Sequence, residues 1–288
     1  MTTTESTRTM PGAAANGARS LAGRTAVVTG ASSGIGRAIA EAFGAERAHV
    51  VLAGRTIGPM EASVERIVAA GGTAEAHVMN VRVPGEVASL VADAASSTGR
   101  LDIMVNNAGV SYPEPITSAD PEHWREMLET NVLGLLAGCQ AAVKAMRACG
   151  EGGHIVNISS LAAHRPDSGV YGSTKHAVNC ISNTLRQELL EDPIQVVTIM
   201  PGAIATSFAR NFDPAVISAM ASAAGVGPIE ITPGEQLAEE VLAAAQSSLP
   251  EHLCTPVDVA DAVVFAVTRR PGTHIGEIVV RPNKNLDF

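Results

Sequence analysis

The sequence predicts an α/β domain: a doubly wound parallel sheet with helices on both faces. Three observations carry this expectation. From Thr25 onward, short apolar runs alternate with longer amphipathic stretches. Such alternation produces parallel strands joined by right-handed helical crossovers. Ala, Val, Gly and Ile abound while aromatics make up only 3% of the chain, which suits β-branched strands buried beneath closely packed helices. Finally, 288 residues with 46% hydrophobic content suffice for one large core, and no internal repeat or linker divides the chain.

The elements follow in order. Thr25–Thr29 is the first strand, and Gly34–Ala45 the first helix, after a glycine-rich turn. His49–Ala53 and Ala74–Met79 are the second and third strands. Pro84 stands where a helix can begin, because proline is tolerated in the first turn. Leu101–Asn106 is the fourth strand, followed by a long helix from about Pro121 to Ala148. His154–Ser159 is the fifth strand, Val170–Leu190 a helix, and Val196–Met200 the sixth strand. Thr206–Leu253 is Ala-rich and punctuated by Pro214, Gly225, Gly227, Pro228 and Pro233. It reads as short helices joined by turns, placed as a lid over the crevice at the carboxyl ends of the strands. Thr255, Pro256 and Asp258 have the chemistry of a helix start: an N-cap, a first-turn proline and a first-turn acid. Glu277–Val280 is the last strand. Residues 1–20 lack the apolar run of a secretory signal and are expected to form a disordered tail before a catalytic domain over residues 21–288.

The bulk numbers exclude several function classes. A net charge of −9 argues against nucleic acid as the main partner. No apolar run approaches transmembrane length, so no membrane partner is expected. Cys139, Cys149, Cys180 and Cys254 form no C-x-x-C pair, and eight scattered histidines form no metal-binding pattern. The cysteines read as small packing residues in a reducing cytoplasm, with no dedicated metal site.

Two motifs carry chemistry. Thr29–Gly36 places Gly30, Gly34 and Gly36 between a strand and a helix. Glycine permits the tight turn and a close approach of phosphate, and the helix N-terminus supplies free N–H donors. Leu52–Thr56 ends the second strand without the carboxylate that would hold the ribose hydroxyls of NAD. Arg55 offers a guanidinium to a 2′-phosphate and Thr56 a second donor, which favours NADP(H) and leaves NAD(H) possible. Arg55 as a plain loop cap is the alternative. Asn106–Gly109 lets the backbone run close to a ribose, while Asn107 serves equally well as a tie between adjacent strands. Tyr171 and Lys175 are one turn apart on a helix, so phenol and ammonium share a face. A phenol beside an ammonium can protonate an alkoxide near neutral pH. Together the motifs suggest hydride transfer between a nicotinamide and a carbonyl or alcohol carbon.

With these residues in view, the chain resembles the short-chain dehydrogenases/reductases from about Leu21 to its C-terminus. The matching segments are Thr29–Gly36, Asn106–Gly109, Asn131, Asn157–Ser160, Tyr171–Lys175 and Pro201–Thr206. The resemblance implies a single Rossmann-like domain with a seven-stranded parallel sheet. It also implies a catalytic tetrad of Asn131, Ser160, Tyr171 and Lys175. Tyr171 would be the proton donor in reduction, its pKa drawn below the free value of about 10 by the positive charge of Lys175 and the oxidised nicotinamide. Ser160, rather than Ser159, would donate to the substrate oxygen. Lys175 would reach the nicotinamide ribose, and Asn131 would hold a water that links Lys175 to solvent. Cofactor contacts are expected from Gly30, Ser32, Ser33, Gly34, Ile35 and Gly36, from Arg55, Thr56, Asn80 and Val81, and from Asn107, Ala108 and Gly109. Pro201, Gly202, Ile204 and Thr206 complete the set, Ile204 and Thr206 holding the carboxamide.

Three departures from the family pattern stand out. Ser160 and Tyr171 are one or two residues closer than usual, so the loop His164–Ser168 is shortened. Asn80 replaces an aspartate that often contacts adenine. Ser33 lacks the basic character of some NADP-dependent members, leaving Arg55 as the main 2′-phosphate determinant. The substrate wall is expected from Ser111, Tyr112, Ser160, Leu161, Ala162, His164, Val170, Tyr171, Gly202, Phe208 and Phe212, which suits a hydrophobic ketone or secondary alcohol. Arg165 and Arg210 are either carboxylate holders or solvated charges. The run Thr255–Pro282 is similar to a subgroup acting on 3-hydroxy acids, which gives an alternative substrate. An NAD-linked catabolic alcohol dehydrogenase and a catalytically silent dinucleotide sensor are the other readings. Apolar residues beyond the core stripe on the long helices Pro121–Ala148 and Val170–Leu190 predict a partner for these faces, and the resemblance implies that the helices pair across a two-fold axis, in a homotetramer first and a dimer next.

Overall fold

Each apolar run of the sequence becomes one strand of a single sheet in a computed structural model, which describes residues 20–223, 232, 234–270 and 272–284. The expected tail over residues 1–19 lies outside the described residues, as do the expected lid turns at Gly225, Gly227, Pro228 and Pro233. In chain order the main elements are β1 (Thr25–Thr29), α1 (Gly34–Ala45), β2 (His49–Gly54), α2 (Ile57–Ala69), β3 (Thr73–Val78), α3 (Pro84–Thr98) and β4 (Ile103–Asn106). Then come α4 (Pro121–Leu128), α5 (Gly134–Cys149), β5 (Gly153–Ile158), α6 (Gly169–Glu188) and β6 (Ile194–Pro201). The chain continues through α7 (Pro214–Ala223), α8 (Glu239–Ser248), α9 (Pro256–Val267) and β7 (Glu277–Val280). The sheet has 7 strands in the order β3-β2-β1-β4-β5-β6-β7, all pairs parallel.

Side chains alternate across the sheet with period two. Ala26, Val28, Leu52, Val105 and Ile199 face the layer of α1, α2 and α9. Val27, Val51, Met104, Ile155 and Val196 face the opposite layer of α3, α5 and α6. The strand order reverses between β1 and β4, and this switch point opens a crevice beyond the carboxyl ends of the strands. Asp102, buried just before β4, accepts from the Thr25 N–H at 2.8 Å and from Arg100 at 2.7 and 2.6 Å. That clamp aligns β1 with β4 and hence the two turns that flank the crevice.

The structure changes four expectations. α2 has no counterpart in the sequence reading, because Gly58 and Pro59 at its start resemble a turn; its buried Met60, Ser63 and Ile67 nevertheless keep helical spacing. The long helix after β4 is not regular: Glu129–Leu133 form a π turn in which the Gly134 N–H reaches back to Glu129 O. Such one-turn bulges need a tertiary cause, here the anchoring of Asn131 described below. That same helix, Pro121–Cys149, has the length and apolar composition of a membrane span, against the expectation that no stretch approaches it. Its inner face packs on α3 and β4, while Leu128, Leu133 and Leu136 on its other face stay exposed. Lastly, α6 carries no exposed large apolar side chain: its outward positions are Ser173, His176, Cys180, Asn183, Thr184, Gln187 and Glu188. The exposed leucines of the two long helices are Leu128, Leu133 and Leu136 before and within α5, and Leu190 beyond α6.

Candidate active site

The crevice is built on the turn after β1. Gly30 and Gly34 have φ of 65° and 54°, the left-handed region that favours glycine. A Cβ on Gly30 would lie 2.8 Å from the Asn107 amide, and one on Gly36 would meet that amide and the Gly30 carbonyl. Asn107 fills this space from the end of β4, donating to Thr29 O at 2.9 Å and Gly30 O at 3.2 Å. It is therefore the strand tie that the sequence left open. Ser33, extended at the N-cap of α1, makes no side-chain cap, so the first-turn N–H groups face the crevice as an anion site.

A cavity of about 640 Å³ extends from this turn. Ser32, Ser33, Gly34 and Ile35 line it at one end with Arg55, Thr56, Asn80 and Val81, and Asn107, Ala108 and Gly109 line its floor. Pro201, Gly202, Ile204, Thr206, Ser160, Tyr171 and Lys175 line the other end. Of the expected cofactor residues, Gly36 alone stands behind the wall, giving room rather than contact. A second cavity of about 1210 Å³ shares Ser160, Tyr171, Gly202, Ala203, Phe208 and Phe212 with the first. Ser111, Tyr112, Leu161, Ala162 and Val170 also line this second space. The cradle that glycine alone permits, the uncapped helix start and the elongated cavity together fit a dinucleotide.

Tyr171 and Lys175 project from α6 at the junction of the two cavities. Lys175 is buried, its Nζ 5.8 Å from the Tyr171 ring centre and donating to Ile158 O at 2.8 Å. Burial lowers its pKa to about 8. Burial also raises Tyr171 to about 12, against the pull of its hydrogen bond with Ser160. In the protein alone desolvation of the phenolate dominates, a direction opposite to the one expected with the charged nicotinamide in place. Phe208 packs against the Tyr171 ring at 5.5 Å between centres.

The two serines separate cleanly. Ser159 is buried, with its hydroxyl directed at Asn179 Oδ1 at 2.6 Å and Lys175 O at 3.3 Å. Ser160 opens the 3₁₀ turn Leu161–His164, accepts from the Ala162 N–H at 3.1 Å and lines both cavities. The shortened loop after it is closed by the Ser168 hydroxyl, 2.8 Å from both Ala162 O and Arg165 O. A side chain at Gly172 would run into Ser168, so glycine beside Tyr171 is what lets the short loop fit.

Asn131 lies in the π turn, buried under the site. Its Oδ1 accepts from the Val110 N–H at 2.9 Å, and its amide donates to Val110 O at 2.9 Å and Thr174 Oγ1 at 3.0 Å. Both amide hydrogens are thereby committed. Asn131 fixes the segment after β4 against α6 and lines neither cavity. Behind it, Asn106, Asn157 and Ser182 form a buried polar chain, with bonds of 2.9 Å, that joins β4, β5 and α6.

His164 and Arg210 depart from expectation, and Arg165 falls on the side of a solvated charge. His164 is exposed and lines neither cavity, because the 3₁₀ turn carries it outward. Arg165 is held by Asp167 in two 3.1 Å bonds. Arg210 lines the first cavity rather than the substrate wall. Sequence reasoning missed Arg281, which follows β7 and lines the second cavity. Among the described residues its guanidinium has no hydrogen-bond or ion-pair partner. No local pattern announces it, since 110 residues separate it from Tyr171.

Comparison with known proteins agrees with this geometry. The model of the short chain dehydrogenase family matches residues 24–216. An uncharacterized oxidoreductase of Methylorubrum extorquens is 44% identical over 190 residues, covering 65% of this chain and 75% of that protein. Dehydrogenase/reductase SDR family member 11 of Mus musculus is 32% identical over 274 residues, 91% of this chain and 95% of its own length. The crystal structure of a metagenomic short-chain oxidoreductase in complex with NADP superposes with a TM-score of 0.71 at 30% identity, over 91% of this chain and 98% of that one. The chain belongs to the short-chain dehydrogenase/reductase family, and it is an oxidoreductase of that family.

Proposed function

We propose that this protein transfers hydride between NADP(H) and a carbonyl or secondary alcohol, acting as a reductase of hydrophobic ketones. The observation that carries the reading is the meeting of the two cavities at Ser160, Tyr171 and Lys175. A nicotinamide held in the first cavity supplies or accepts the hydride. The chain does the rest. Ser160 donates to the substrate oxygen and Tyr171 delivers the proton to it as negative charge develops. Lys175, one turn away, stabilises the phenolate that Tyr171 leaves behind. Asn131 acts as a positioning residue, holding Val110 and Thr174 on either side of the site. Ile204 and Thr206 are placed to orient the carboxamide end. NADP(H) is favoured over NAD(H) because Arg55 and Thr56 line the cavity where an acid would select NAD, and the metagenomic relative binds NADP.

The test is oxidation of NADPH and of NADH, followed separately against aryl ketones, cyclic ketones and 3-oxo acids. Turnover of NADPH with a hydrophobic ketone is expected. Turnover with NADH alone overturns the cofactor assignment.

Arg281 supports a second reading, a substrate that carries a carboxylate. In the second cavity Arg165 is paired with Asp167 and Glu114 is bonded to His123 at 3.0 Å, whereas Arg281 has no ion-pair partner among the described residues. If oxo acids are turned over, Arg281→Gln is expected to reduce kcat/KM for them about tenfold, the loss of one charge-assisted bond, and to spare neutral ketones. Equal loss on both classes assigns Arg281 to the wall and not to the acid.

We also assign the chain a cytoplasmic location, supported by four free cysteines, and self-association through the face of Leu128, Leu133 and Leu136. Sedimentation across a dilution series is expected to show a tetramer, with a dimer on dilution; a monomer at every concentration overturns this.

A further inference from the structure

We propose that Glu126 limits the preference for phosphorylated cofactor by holding Arg55 as a rival to the 2′-phosphate. The inference rests on the reading of Arg55 as the 2′-phosphate residue. Glu126 stands in α4 and meets Arg55 just beyond the end of β2. Its Oε1 lies 3.5 Å from Arg55 Nη1, and its Oε2 accepts the Tyr112 hydroxyl at 2.7 Å. Arg55 is more than half exposed at 59%, whereas the carboxylate is only 21% exposed. The acid is therefore the fixed partner and the arginine the mobile one.

Tyr112 explains why Glu126 stays in place. Its ring stacks on His123 with centres 3.9 Å apart and planes 2° from parallel. His123 is tied in turn to Glu114 at 3.0 Å. The phenol thus pins the carboxylate beside Arg55 from the substrate side, because Tyr112 lines the second cavity while Arg55 lines the first. Arg210 lines the first cavity from the lid and donates to Ser207 O at 3.2 Å. Burial and the nearby charge of Arg55 both hold its pKa down, and Glu126 opposes them.

The local charge count gives the direction. Two guanidiniums and one carboxylate leave a single positive charge to receive a phosphate of nearly two negative charges. With the carboxylate gone, the two arginines match the phosphate. A like charge beside the phosphate weakens its binding, and Arg55 must leave Glu126 to contact it. An unphosphorylated ribose meets neither cost. Glu126 therefore acts on the selectivity between the two cofactor types and not on dinucleotide binding in general.

The experiment is calorimetric titration of the full chain with adenosine 2′,5′-bisphosphate and with adenosine 5′-monophosphate. The readout is the ratio of the two affinities, which a general loss of packing does not raise. Glu126→Gln is expected to raise this ratio about fivefold, the scale of one partly exposed ion pair. Tyr112→Phe, which unpins the carboxylate but leaves it charged, is expected to raise it by a smaller factor. Arg55→Asp is expected to collapse it. If Arg55→Asp collapses the ratio but Glu126→Gln leaves it unchanged or lowers it, the role of Glu126 is overturned and the 2′-phosphate reading stands. If Arg55→Asp also leaves the ratio unchanged, both fall together.

Discussion

Tyr171→Phe is expected to lower kcat about 10²- to 10⁴-fold, the usual contribution of a positioned proton donor, with cofactor affinity held within about twofold. The substitution removes one hydroxyl and keeps the ring. Packing against Phe208 at 5.5 Å therefore survives, as does the wall shared by the two cavities. What disappears is the proton and the hydrogen bond with Ser160. The pH profile sharpens the test. With its pKa raised to about 12, the phenol is protonated throughout the neutral range and ready to donate. Lys175, lowered to about 8, loses its charge as pH rises through that value. Reduction by the wild type is therefore expected to hold level at neutral pH and fall above about 8 as support for the phenolate is lost. Steady-state rates from pH 6 to 10 and NADPH fluorescence titrations measure both effects. Turnover close to wild type in the variant would sink the mechanism. A matching loss of cofactor affinity would reassign Tyr171 to binding.

How much of this was legible in the sequence depends on how local each feature is. β1 and β7 have the bounds that their apolar runs predict; β1, buried on both faces, reads as a continuous hydrophobic segment, and β7 is an edge strand whose apolar run is only half-buried. The glycine turn and the Tyr171–Lys175 pair were equally plain, since both motifs close within one turn of chain. α2 was hidden by Gly58 and Pro59, whose turn chemistry outweighed the helical spacing behind them. The π turn was not legible at all. It is fixed by bonds from Asn131 to Val110 and Thr174, and the second of these crosses between elements. The same holds for Glu126, which meets Arg55 only across elements, and for Arg281, which reaches the second cavity only through the path of the C-terminal segment. His164 shows the opposite failure. Proximity in sequence to Ser160 suggested the pocket, and a 3₁₀ turn carried it away.

Lys175→Met is expected to separate stability from function: kcat falls about 10²-fold or more, whereas the folded protein becomes more stable near pH 7. Lys175 is 4% exposed and its ammonium has the Ile158 carbonyl at 2.8 Å, with no carboxylate beside it among the described residues. Burying such a charge is costly, and here the cost appears as a pKa lowered from 10.5 to about 8. The sign follows from proton binding. Between these two values the unfolded chain holds more protons on this lysine than the folded protein does, so stability rises with pH across that window. Below about 8 both states are charged and the full penalty applies, on the order of 3 kcal/mol from the size of the shift. Tyr171 acts in the opposite sense at higher pH. Raised from 10.0 to about 12, it makes stability fall once pH exceeds about 10. Methionine has nearly the same volume and no charge, and it leaves only the Ile158 carbonyl without its partner, a loss of about 1 kcal/mol. A net gain of roughly 1–2 kcal/mol at pH 7 is therefore expected, shrinking to nothing by about pH 10. Urea unfolding of both proteins at pH 7 and pH 9.5 reads this directly. Were the variant less stable at pH 7, with the wild-type pH slope intact, the ammonium would be holding the fold together through Ile158. The expected result instead identifies Lys175 as a group kept at the expense of stability for the proton chemistry of Tyr171.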